Sequence, residues 1–220
     1  MKARYLFLIL FLFSISACDT YDSGDLNQDR IATDYTLSYN AQTNTTRANA
    51  EFRFGNDYVE LSSPASIYFN NQEMERSTAL GKTWYSISIE DSVSATFEFT
   101  NQAGDVYENY TEIPPSLSID SASLSLSSTS IVSWRGPSLK DDETVTLSIR
   151  GENGSFTART KEVNASSIFL RAGEIDGNLE GRVIVTLTRS FEPDLVETTP
   201  EGGSLKVEYI SSEIQTTVRE

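Results

Sequence analysis

The sequence predicts an all-β protein, and three observations carry that prediction. Apolar and polar residues alternate with period two along most of the chain, turn residues recur at sandwich-like spacing, and no stretch sustains a 3.6-residue helical period over three turns. The alternation is plain where Ala48, Ala50, Phe52 and Phe54 interleave with Arg47, Asn49, Glu51 and Arg53. It returns in Ala95, Phe97 and Phe99, in Val183, Val185 and Leu187, and in Leu205, Val207 and Tyr209. Half-buried strands read this way because successive side chains point to opposite faces of the sheet. Gly55-Asn56-Asp57, Asn70-Asn71, Gln102-Ala103-Gly104-Asp105 and Glu152-Asn153-Gly154 supply the turns.

In chain order, the first element is a leader. Lys2 and Arg4 open it, the apolar run Tyr5–Phe13 follows, and Ser14-Ile15-Ser16-Ala17-Cys18 closes it. The run is too short for a bilayer span, which takes about 20 residues, and suits a secretory signal over residues 1–17. Ile15-Ser16-Ala17-Cys18 resembles the lipobox of bacterial lipoproteins: an aliphatic residue, two small residues and a cysteine. The resemblance implies a diacylglyceryl group on the Cys18 thiol, cleavage just before it, and acylation of the new N-terminus. At about 0.8 kcal/mol per buried methylene, two or three chains anchor stably where one does not. The competing reading is an ordinary signal peptide that leaves Cys18 a bystander thiol in an oxidising compartment. Asp19 resembles the residue that holds enterobacterial lipoproteins in the inner membrane, a rule that does not extend to every lineage. Residues 18–30 then form an acidic segment, with Asp22, Asp25 and Asp29 among Ser, Gly, Asn and Gln. With little to bury, it reads as a flexible, solvated tether.

Two strand-rich halves follow, residues 31–114 and 116–220, divided at Ile113-Pro114-Pro115-Ser116. Consecutive prolines cannot donate to a ladder and favour a stiff, extended connection. Each half has room for about seven strands, enough for one sandwich; one continuous sandwich or barrel through both halves is the alternative. In the second half, Trp134 within Ile131-Val132-Ser133-Trp134, and the run Leu179-Glu180-Gly181-Arg182-Val183-Ile184-Val185, resemble a fibronectin type III or related immunoglobulin-like domain. The resemblance implies a buried strand-B tryptophan at Trp134. Val183 departs from the pattern, standing where that family usually has a tyrosine. The expected architecture is therefore two tandem immunoglobulin-like β-sandwiches after a signal peptide and tether.

Composition removes whole classes of chemistry. Acids outnumber bases 32 to 17, for a net charge of −15, so nucleic-acid phosphates are repelled and no nucleic-acid partner is expected. The chain has no histidine and one cysteine, which excludes internal disulfides, Cys/His zinc sites, Ser-His-Asp triads and Cys-His dyads. None of Lys82, Lys140, Lys161 or Lys206 has a serine three residues before it, so the Ser-x-x-Lys signature is missing. Asp141-Asp142-Glu143 offers oxygens to Ca²⁺ but lacks EF-hand spacing and its glycine, and reads as a solvated acidic loop. No catalytic residue, cofactor or metal is assigned.

Strand parity singles out three aromatic residues. If Val59 and Leu61, Ile67 and Phe69, and Tyr85, Ile87 and Ile89 face the core, then Tyr58, Tyr68 and Trp84 point outward. Exposed rings anchor protein partners or stack on sugars. The expected function is a non-catalytic, lipid-anchored cell-envelope protein that presents its sandwiches for protein binding or assembly. Carbohydrate binding through the same rings is one alternative. A carboxylate-dependent polysaccharide hydrolase is another, and it requires two carboxyls about 5–10 Å apart in a cleft.

Overall fold

The computed structural model describes residues 20–220; the leader, Cys18 and Asp19 lie outside the described residues. Strands make up nearly all the regular structure. The first half holds β1 (Tyr21–Asp22), β2 (Ile31–Asn40), β3 (Thr45–Phe54), β4 (Asp57–Glu60), β5 (Ser66–Phe69), β6 (Gln72–Glu73), β7 (Glu75–Ala79), β8 (Lys82–Glu90), β9 (Ala95–Thr100) and β10 (Val106–Thr111). The second holds β11 (Ser118–Ser125), β12 (Ser130–Arg135), β13 (Glu143–Arg150), β14 (Ser155–Thr160), β15 (Ser167–Leu170), β16 (Gly181–Phe191), β17 (Gly203–Ile210) and β18 (Ile214–Arg219).

Two cores form, each between two sheets. In the first, β2, β3 and β8 lie over the four-stranded sheet β10-β9-β5-β6. The alternation predicted from sequence is what fills it: Tyr35, Leu37, Ala48, Ala50 and Phe52 meet Ile67, Phe69, Phe97 and Phe99, all at most 2% exposed. Tyr35 stacks on Phe97 and Phe52 packs on Phe99, both with ring centroids 4.6 Å apart. The small Ala48 and Ala50 sit among these rings, so large and small residues share the layer. In the second, β15-β12-β11 faces β14-β13-β16-β18, an immunoglobulin-like arrangement. Trp134 is 4% exposed there, as the resemblance implied, and Val183 is buried with it.

Two expectations about the chain's division are corrected. First, residues 203–210 lie in the C-terminal half but complete the N-terminal sandwich. Strand β17 runs parallel to β2 over its whole length, from Gly203 opposite Thr33 to Ile210 opposite Asn40. Its Leu205 and Val207 are buried in the first core, at about 1.5–3 kcal/mol each. The other edge of β17 pairs with Thr188–Phe191 of β16, whose lower half is buried in the second core. One hydrogen-bonded sheet therefore runs through both sandwiches, and the Pro114-Pro115 division does not separate them cleanly. The sequence missed this because period-two alternation identifies a strand without naming its neighbour.

Second, residues 20–30 are not a solvated tether. Strand β1 pairs with β4, and Leu26 packs on the first core. Ser23 is fully buried, its Oγ accepting from the Ser62 N–H at 2.9 Å and Gln102 Nε2 at 3.0 Å. Gln28 donates to the Ser23 carbonyl at 2.7 Å and accepts from the Gln102 N–H at 3.1 Å. Asp22 and Asn27 cap short 3-10 turns. The polar composition that suggested hydration instead satisfies itself against the domain surface.

Candidate functional site

The first sheet's outer face is positioned by β2, β3, β4 and β8. On β3, Phe52 points inward, which turns Glu51 and Arg53 outward; on β8, the inward Thr83 and Tyr85 leave Lys82 and Trp84 outside. Tyr58 pairs directly with Arg53 across the β3–β4 hairpin. The Arg53 guanidinium lies 5.1 Å from the centre of the Tyr58 ring, and Lys82 Nζ lies 5.3 Å from it. Arg53 also bridges Asp34 at 3.4 Å and Glu51 at 3.2 Å, while Lys82 reaches Glu51 at 2.7 Å. The hydrogen bond to the Glu51 carboxylate holds the Lys82 ammonium pKa above its ordinary value.

Tyr58 and Trp84 thus share one face, both half-buried rather than free. Tyr68 does not join them. It lies on β5 in the opposite sheet, registered with Glu98 and Glu73. The three rings predicted as a set occupy two sides of the sandwich, because parity fixes in or out but not which sheet a strand joins.

The second sandwich carries a feature the sequence reading passed over. Ile131 on β12 and Phe169 on β15 are cross-strand partners on the outer face, 37% and 66% exposed. Registration places Ser123 beside Ile131, and aligns Ser121, Ser133 and Ser167 next along the same face. Strand β15 pairs only with β12 among the described residues, so its other edge is open. The signal was present: once Trp134 is inside, Val132 is inside and Ile131 is out, and the apolar run Ile168-Phe169-Leu170 must turn one residue outward. A second exposed apolar group, Val106 and Tyr110 on β10 with Val196, is flanked instead by Glu108, Glu112 and Glu197.

A cleft of about 430 Å³ opens at the edge of the first sandwich, floored by Leu61, Ile67, Met74 and Tyr85 and rimmed by Glu73 and Arg76. The Tyr85 hydroxyl accepts from the Leu61 N–H at 2.7 Å, and burial raises its pKa above the ordinary tyrosine value. Asp34 and Glu51 are cross-strand partners with Arg53 between them, and the three line a cleft of about 320 Å³ with Thr36, Asn49 and Ser204. No group of three or more His, Cys, Asp or Glu residues is placed to hold a metal among the described residues.

Glu143 is not part of a solvated acidic loop. It is 4% exposed and pairs with the fully buried Arg189, whose guanidinium also donates to the carbonyls of Pro137 at 2.9 Å and Ser138 at 3.0 Å. Burial by itself pushes the Glu143 carboxyl up. The hydrogen bonds from Arg189 and the Lys140 N–H, with the charges of both residues, outweigh it and leave the pKa below the ordinary glutamate value.

No protein-family model matches the chain. No curated protein matches it either. Among solved structures, it is similar to the chicken interferon gamma receptor alpha chain, at 12% identity and a TM-score of 0.31, covering 86% of this chain and 98% of that one. It is also similar to two structures of a titin I-band fragment, one titled a three-immunoglobulin structure, at 11% and 10% identity and a TM-score of 0.21. Each covers 82% of this chain and 63% of the titin one. These likenesses concern the fold alone.

Proposed function

We propose that this chain is a non-catalytic, lipid-anchored protein of the bacterial cell envelope whose second sandwich binds a protein partner on the outer face of β11, β12 and β15. The observation that carries the reading is the Ile131–Phe169 pair. Two large apolar side chains stand exposed side by side, bordered by Ser121, Ser123, Ser133 and Ser167, on a chain of net charge −15. Protein interface cores are depleted of charge and centred on aromatic anchors, and the open β15 edge offers backbone groups to an added strand. The face holding Tyr58 and Trp84 is less suited to sugar stacking, since two cations already lie over the Tyr58 ring. Nor does it suit glycoside hydrolysis, since Arg53 sits between Asp34 and Glu51 where a scissile bond would need to lie.

Photo-crosslinking in the native envelope tests this reading. A benzophenone side chain at position 167 is expected to capture one defined protein, with the adduct lost in Phe169→Ser. The same probe at Arg159, on the opposite sheet, is expected to capture nothing. Equal adducts at both positions, or an adduct indifferent to Phe169→Ser, would sink the proposal. Cys18→Ser is expected to release the protein from membranes after a high-salt wash.

A further inference from the structure

The tip of the β7–β8 hairpin has a leucine that the fold does not use. Leu80 is fully exposed, at 102%, and touches neither core. Its backbone is left-handed (φ 50°), as is that of Gly81 (φ 75°), so the turn has the conformation for which Asn-Gly is the favoured pair. A leucine there meets the left-handed penalty and recovers nothing by packing.

The same tip is where the described chain begins. Thr20 Oγ1 donates to the Gly81 carbonyl at 3.3 Å. Cys18 lies two residues upstream in the sequence. Residues 20–30 are docked on the first sandwich, so the chain between Thr20 and β2 is not a free spacer.

Strand register places this tip at one pole of the molecule. Ala50 pairs with Tyr85 and Thr46 with Ile89, so the Lys82 end of β8 lies toward Arg53 on β3, away from the turn between β2 and β3. The chain passes to the second sandwich at the other end, where Ala41 N–H donates to the Ile210 carbonyl and Ile210 pairs with Thr188. Within the second sandwich, Glu143 pairs with Phe191 near the junction and Arg150 with Ile184 beyond it, so the turn at Glu152 is the far pole.

We propose that the Leu80–Gly81 tip seats in the lipid surface beside the acylated Cys18, fixing the molecule with its first sandwich on the membrane and its second projecting away. The inference rests on the lipid-anchor reading above. It replaces a protein swinging on a tether with one held at two adjacent points, and it carries the Ile131–Phe169 face outward with the second sandwich.

The test uses full-length protein extracted from membranes and reconstituted in phosphatidylethanolamine/phosphatidylglycerol vesicles. Acylation blocks Cys18, so Leu80→Cys and Glu152→Cys each offer a single thiol for a polarity-sensitive fluorophore. The probe at 80 is expected to shift to the blue and be quenched several-fold more by shallow spin-labelled lipid than the probe at 152. Equal, water-like emission at both sites on vesicle-bound protein overturns the tip contact while leaving the anchor intact. Mass spectrometry showing an unmodified Cys18, with no vesicle binding, overturns the anchor and this inference with it.

Discussion

Trp84 and Trp134 are both tryptophans on strands, yet their neighbours give them different work. Trp134 is enclosed in the second core, and truncating such a ring costs about 3–5 kcal/mol. Trp84 is half-buried on an outer face, so Trp84→Ala is expected to lose roughly 1–2 kcal/mol. Chemical denaturation of the two variants checks the difference, and equal losses would refute the placement. Parity made both legible, because each sits between residues whose inward direction is plain. The Glu143–Arg189 pair was not legible, since nothing local to Asp141-Asp142-Glu143 announces an arginine 46 residues away. It makes a pH prediction. A carboxyl whose folded pKa lies below its unfolded one contributes stability above the unfolded pKa and loses it as pH falls through the folded one. Unfolding midpoints are therefore expected to drop as pH goes below the ordinary glutamate range. Glu143→Gln should flatten that part of the profile while costing about 3 kcal/mol at neutral pH, since Arg189 keeps its buried charge without a counter-ion.

Strands were the easiest elements to read and their partners the hardest. Leu205, Val207 and Tyr209 announce a strand, but the feature that lets it lie against β2 is Gly203. A Cβ there would run into the Thr33 carbonyl oxygen and its carbon, both backbone atoms with nowhere to retreat. Gly203→Ala is expected to destabilise by about 1–3 kcal/mol. It should also speed hydrogen exchange in residues 33–40 and 203–210 before other strands. Uniform exchange across the molecule would count against a local wedge. The segment at 20–30 failed as a sequence reading for a related reason: Ser23, Gln28 and Gln102 look like solvent-facing residues until they are seen to satisfy one another.

As a whole, the molecule has two cores and one continuous sheet, a combination that alternation alone cannot distinguish from two beads on a string. Fragment 31–114 lacks Leu205 and Val207 and exposes the β2 edge that β17 covers, so it is expected to show no cooperative unfolding transition and to associate through that edge. Supplying residues 203–210 through a short linker should restore the transition; a stable, monomeric 31–114 would contradict this. Strand β17 also sets a timetable. Ser204 and Asp34 hydrogen-bond across 170 residues of sequence, a length that takes on the order of 10–30 s to synthesise. Throughout that interval the β2 edge has no lawful partner, and the half of the protein made first cannot close. A nascent chain kept open in this way stays threadable, which suits the envelope location proposed above.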